Sequence, residues 1–204
     1  MAIDNEDSRY RNTRERILAA ARAELISYGF AGARINRIAT SAGTSKERIY
    51  AYFRDKEELL DTVTQDRMLS QEQEVHFDAS DLLSYVGTLY DFYVSHPDDI
   101  RISHWIGLEA VNATLPDNNA RVKMLKQRVA ATLSAQQSGL IDPSWHPLTL
   151  ISLLVSIARS WATAPLYART LSTPSVSPAS LSSNRAAALE AARRLLTPPR
   201  KLRG

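Results

Sequence analysis

Along the chain, apolar residues return at three- and four-residue steps, and nowhere does a run alternate with the two-residue period of a strand. Ile17, Leu18, Ala21 and Leu25 form one such stripe. Asn12 and Glu15 stand at capping-box spacing before it, and Gly29 is placed to end it, so a first helix is predicted from about Asn12 to Tyr28. Two short helices fit between Ala33 and Phe53. A longer one starts after Asp55, which has Glu58 three positions on, and runs towards Val75. From Asp81 to Ser95 the apolar positions are 82, 86, 89, 90 and 93, until His96-Pro97 breaks the pattern. Further helices are predicted over 98–115, 118–138 and 148–164. The stretch 170–183, rich in Ser and Pro, reads as a loop, and an Ala-rich helix then ends near Leu196. The sum is an all-α chain of about nine helices.

Composition narrows the class. At 204 residues, 44% hydrophobic and 23% charged, the chain has the balance of an ordinary globular protein rather than a disordered one. It has no cysteine, which removes disulfides, thiolate nucleophiles and cysteine-bearing zinc sites from consideration. The first ten residues lack the apolar core of a secretory signal. The most apolar helix, 148–164, contains Arg159 and several Ser and Thr, so it reads as a buried helix rather than a membrane span. A soluble, cytoplasmic protein is expected. The net charge of +3 hides a segmented pattern: +4 over residues 1–56, −11 over 57–117 and +10 over 118–204. Such a pattern suits a polyanion at particular faces only; it is equally the signature of solvated helix surfaces.

The stretch 35–52 is the most informative. A helix-turn-helix needs a small residue where its helices cross, and a turn residue tolerant of positive φ four positions later. Ala39 and Gly43 satisfy both, with Ile35, Ile38, Ala42, Ile49 and Tyr52 as the apolar brackets. Thr44-Ser45-Lys46-Glu47 reads as the cap of the second helix, whose first turn would enter a DNA major groove.

The run from Gly43 through Ile49-Tyr50-Ala51-Tyr52-Phe53 to Lys56-Glu57-Glu58-Leu59 resembles the signature of TetR-family transcriptional regulators, as do Tyr28-Gly29-Phe30 and Ile38-Ala39. The likeness covers roughly residues 10–65. It implies a three-helix DNA-binding head over 1–54 and a helical ligand-binding and dimerisation domain over 55–204. It also implies a homodimer on double-stranded palindromic operator DNA, released by a small organic effector, with no cofactor. Carried over by position, Thr44, Ser45, Lys46, Glu47 and Arg48 line the start of the recognition helix. Tyr50 and Tyr52 take aromatic positions, the first a phosphate contact, and Lys56 sits where a backbone-contacting lysine stands. A phosphate there would also be favoured by the amino end of a helix.

Two departures from the family pattern matter. Arg34 stands where Thr is common, so a capping hydroxyl is lost; its side chain either reaches a phosphate or points into water. Glu47 and Arg48 replace small residues. They read a cytosine amino group and a guanine edge, respectively, or pair with neighbours and read nothing.

In the second domain, Tyr85, Tyr90, Tyr93, His104, Trp105 and Trp161 lie on helices that would surround a ligand cavity, though aromatics at helical spacing also serve as core. A stripe of Leu150, Leu154, Ile157 and Trp161, with Ala188, Ala192 and Leu195 on the last helix, offers a dimer interface or a protomer core. The four histidines have no helical i, i+4 pairing, so no metal site is expected, and no catalytic motif supports an enzyme. The competing reading is a ligand- or partner-binding helical protein with a degenerate head.

Overall fold

The computed structural model describes residues 2–109, 115–164 and 178–197, and among these every regular element is a helix. They are α1 (Ala2–Gly32), α2 (Ile35–Ser41), α3 (Lys46–Tyr50), α4 (Lys56–Glu74), α5 (Leu82–Ser95), α6 (Pro97–Glu109), α7 (Ala120–Gln137), α8 (Pro147–Ala158) and α9 (Pro178–Leu196). The chain forms two compact units. The first holds α1–α3, α4 as far as Ser70 and α6 from Arg101. The second holds the end of α4, α5, the start of α6, and α7–α9.

In the first unit α1 begins ten residues before Asn12, which is therefore not a cap. No Gly or Pro interrupts the chain between Ala2 and Tyr28, so the helix continues upstream. Gly29 does break it, at φ +68°. A side chain at Gly29 would also meet the Trp105 ring of α6 at 2.8 Å, so glycine is required on both counts. The core beneath is apolar: Ile17, Ala21 and Leu25 of α1 meet Ile38, Ile49, Phe53, Leu59, Leu60, Val63 and Ile102.

In the second unit, α5 is capped by Asp81, whose carboxylate accepts from the Ser84 amide at 3.0 Å, and α7 by Asn119, which accepts from Arg121 at 2.9 Å. Leu82, Tyr85, Val86, Leu89 and Phe92 of α5 pack on Leu150, Leu154 and Ala158 of α8 and Ala192 of α9. A fork from Arg185 on α9 to Asp91 on α5, at 2.8 and 2.9 Å, ties the two helices. It crosses at Gly87, where a Cβ would stand 3.0 Å from the guanidinium.

Two further boundaries differ from the sequence reading: α8 closes at Ala158 and not at 164, with Arg159 as its C-cap, and the last helix starts earlier than predicted. Residues 178–183, read as loop, are the first turns of α9, and Pro178 is tolerated at its first position, where the N–H has no intrahelical acceptor and the fixed φ already suits a helix. The rest of that stretch, and the 110–114 end of the sixth predicted helix, lie outside the described residues.

Candidate nucleic-acid interface

Gly43 adopts φ +60°, the left-handed turn that only glycine takes without strain, and passes the chain from α2 into α3. The corner is fastened from outside. Arg16 of α1 donates from Nε and Nη2 to the Ala42 carbonyl (3.1 and 2.8 Å) and from Nη2 to that of Gly43 (3.2 Å), satisfying carbonyls left open at the end of α2. Ser45 caps α3, its hydroxyl accepting from the Arg48 amide at 3.1 Å. Glu47 lies in the first turn. Hydrogen bonds from its own amide and from Ser45 hold its carboxyl below the usual carboxylate range. At α4, Asp55 accepts from the Glu58 amide at 2.7 Å, while Glu58 reaches back to the Arg54 amide, also at 2.7 Å.

Arg34 opens α2 in an extended conformation, and its side chain makes no cap. The missing hydroxyl is replaced from another helix. Glu24 of α1, buried to 7% exposure, accepts from the Arg34 amide at 2.8 Å, as the acid of a capping box would. Arg37 neutralises it with a 2.8 Å bond from Nε, donates to the Gly32 carbonyl at 2.7 Å, and lies 4.0 Å over the Tyr28 ring. The Arg34 side chain is thereby left exposed, with no ion pair among the described residues.

Around the start of α3, Ser45, Lys46, Glu47 and Arg48 are all exposed, and Thr44 is half-buried. No ion pair holds Arg34, Lys46 or Arg48 among the described residues; Lys46 and Arg48 lie over the Tyr50 and Tyr52 rings at 5.8 and 5.7 Å. Tyr50 is 43% exposed, whereas Tyr52 packs half-buried on the head's core. Lys56 is half-buried and donates to the Phe30 carbonyl at 3.1 Å, which leaves two of its three ammonium donors. Arg16, Glu24 and Arg37 are missing from the sequence reading. Glu24 had a signal, being an acid three residues after Ala21 on the apolar stripe.

The residues expected around a ligand are dispersed. Tyr85, Tyr90 and Tyr93 are buried in the second unit. Burial pushes the Tyr85 phenol up to about 12, and those of Tyr90 and Tyr93 upward too; Arg128 donates to the Tyr85 hydroxyl at 3.0 Å. His104 is exposed, and Trp105 packs against Gly29 in the first unit. Trp161 lines a shallow depression of about 310 Å³ with Ile157, Asn184 and Ala188. The stripe read as a dimer interface or core closes the protomer's own interior. Leu150, Leu154, Ala188 and Ala192 are buried, and Ile157 and Leu195 pack half-buried beside them. The outward faces carry Leu148, Ser152, Leu153 and Ser156 on α8 and Ala187, Ala191 and Arg194 on α9. Among the described residues, no three acidic or histidine groups gather as metal ligands, and no helix is long and apolar enough to cross a membrane.

The family described as "Bacterial regulatory proteins, tetR family" matches residues 17–63, and "Tetracyclin repressor-like, C-terminal domain" matches residues 81–194. The HTH-type transcriptional repressor SCO4008 of Streptomyces coelicolor is 37% identical over 150 residues, 74% of this chain and 78% of that protein. The crystal structure of the transcriptional regulator SCO4942 from Streptomyces coelicolor superposes with a TM-score of 0.79 at 36% identity, over 92% of this chain and 99% of the other. That of FadR from Bacillus subtilis, in complex with stearoyl-CoA, shares the fold at a TM-score of 0.62 and 14% identity, over 90% and 99% of the two chains.

Proposed function

The chain belongs to the tetR family of bacterial regulatory proteins, and from that premise we propose that it is a homodimeric repressor that leaves a palindromic operator when a small organic molecule binds. It is a transcriptional regulator, not an enzyme. The observation that carries the DNA-binding part of this reading is the fastened corner at Gly43, which leaves Lys46 and Arg48 exposed and without an ion pair among the described residues.

In this reading residues 1–54 bind DNA and residues 55–204 bind effector and partner. Arg48 reads a guanine edge and Glu47 a cytosine amino group, while Thr44 and Ser45 border the groove. Arg34, Lys46, Tyr50 and Lys56 contact phosphates, and Tyr52 supports α3 from behind. Two heads about 34 Å apart span successive major grooves. Because Leu150, Leu154, Ala188 and Ala192 are spent on the protomer's interior, the partner copy covers the outward faces of α8 and α9, centred on Leu153, Ser156 and Ala191. Of the residues read from sequence as cavity-lining, Tyr85 and Tyr93 have the best claim, being buried beside Arg128 and Arg159. The FadR structure is a complex with stearoyl-CoA, an acyl chain on an anionic head, and a largely apolar organic molecule is the effector class we propose for this chain. The protein works in the cytoplasm. The test is a mobility-shift titration against DNA flanking the chain's own gene, with competitor DNA present: a specific complex of two chains per site is expected. Equal affinity for every sequence would defeat the reading.

A further inference from the structure

One ion pair in the second unit differs from the solvated ones. The side chain of Arg128 on α7 is only 11% exposed, against 40% for Arg185 and 80% for Arg194. Its guanidinium pairs through Nη2 with Glu72, donates from Nη1 to the Tyr85 hydroxyl at 3.0 Å, and lies 5.3 and 5.5 Å from the ring centroids of Phe77 and Tyr85. Its Nε is buried and meets no acceptor among the described residues. Withdrawing a guanidinium from water costs more than a half-exposed partner commonly returns, and an apolar pair of the same volume would often hold two helices better. Stability is thus a poor reason for this pair.

Its placement suggests another. Glu72 lies in the last turn of α4, a continuous helix whose first turns bury Leu59, Leu60 and Val63 in the head's core. Whatever holds Glu72 fixes where α4 ends.

We propose that Arg128 is an anion-receiving group: Glu72 fills it in the free protein and clamps α4 to α7, and an effector bearing a carboxylate or similar oxyanion displaces Glu72 and frees α4. This rests on the reading of a ligand-released regulator. Exchange of one carboxylate for another leaves the buried guanidinium neutralised, whereas an uncharged competitor would strand it. The displaced Glu72, already 35% exposed, returns to water readily. The rings of Phe77 and Tyr85, which the guanidinium already overlies, keep it in place, and the open Nε offers the oxyanion one more donor.

The experiment uses the full chain, with sodium propionate as probe and sodium chloride at equal ionic strength as control. E72A opens a carboxylate-sized space at Arg128. It should bind operator at least tenfold more weakly than the wild type, and propionate should raise its melting temperature where chloride does not. The tethered clamp stays lost, so propionate should not restore operator affinity. E72A/R128M should lose the propionate response. If E72A does not fold, E72Q serves for the operator arm, and propionate-dependent recovery of folded E72A replaces the melting arm. Operator affinity within twofold of wild type, or propionate no better than chloride, overturns the proposal. A wild type without sequence preference would sink the regulator reading instead, while the melting arm still reports on Arg128.

Discussion

In the head, the polar side chains that reach another element mostly end on backbone: Arg16 on Ala42 and Gly43, Glu24 on Arg34, Lys56 on Phe30. In the second unit the helix-to-helix ion pairs described join side chain to side chain, Arg128 to Glu72 and Arg185 to Asp91, while Gln136 reaches only the backbone of the loop that follows its own helix. Contacts to backbone fix helix ends, and so the angle at which short helices meet. Contacts between side chains fix helix flanks, which tolerate many residue pairs. A surface that must match the spacing of phosphates and base edges needs the first kind. A helical bundle that surrounds a variable ligand or partner can be built with the second.

The largest expected effect separates core from partner surface in the second unit. Leu154→Ala should cost about 2–5 kcal/mol in urea unfolding, because its fully buried side chain leaves a cavity. Leu153→Arg, 37% exposed at Leu153 in the single chain, should leave helix content intact while sedimentation shows the mass of one chain. The opposite pattern would move the interface back to the buried stripe.

Within the head, Arg48→Ala should relax preference at one base pair per half-site, by about 1–3 kcal/mol in competition titrations. Glu24→Ala should lower stability by about 1 kcal/mol through loss of the borrowed cap. Adding Arg34→Thr, which brings back a capping hydroxyl, should recover that stability but not operator affinity, since it also removes a phosphate contact. Recovery of both would reduce Arg34 to a surface residue.

The smallest effect is on pH. The Arg54 side chain and then the Glu58 amide hold the Asp55 carboxyl below its ordinary value. Its contribution to the start of α4 is therefore present above the normal aspartate range and fades as pH falls through the lowered value. Asp55→Ala should flatten the acid limb of a melting-temperature profile.

The same contrast explains what could be read from sequence. Gly43, Ala39, Ser45 and the Asp55–Glu58 pair were legible because a backbone conformation or an open amide admits few residue types. Some helix ends of the second unit were legible too, since Asp81 and the His96-Pro97 break mark those of α5, but the first turns of α9 were read as loop and α8 closes earlier than predicted. Which flank of α8 faces inward was not legible, because Leu150 and Leu153 are chemically identical and only packing distinguishes them. The start of α1 was misplaced because a capping box reads the same inside a helix as at its end. Glu24 was overlooked because its partners, the Arg34 amide and Arg37, come into reach only once α1 and α2 have packed.

The central claim is that the face around α3 binds DNA by sequence, as a dimer, with Lys56 among its phosphate contacts. Footprinting over a range of salt concentrations, for the wild type and Lys56→Ala, tests it most directly. The account predicts protection of two half-sites about one helical turn apart, and a log–log salt slope shallower by about one unit per Lys56 lost from the complex. Uniform protection without half-sites, or an unchanged slope in the variant, would contradict it.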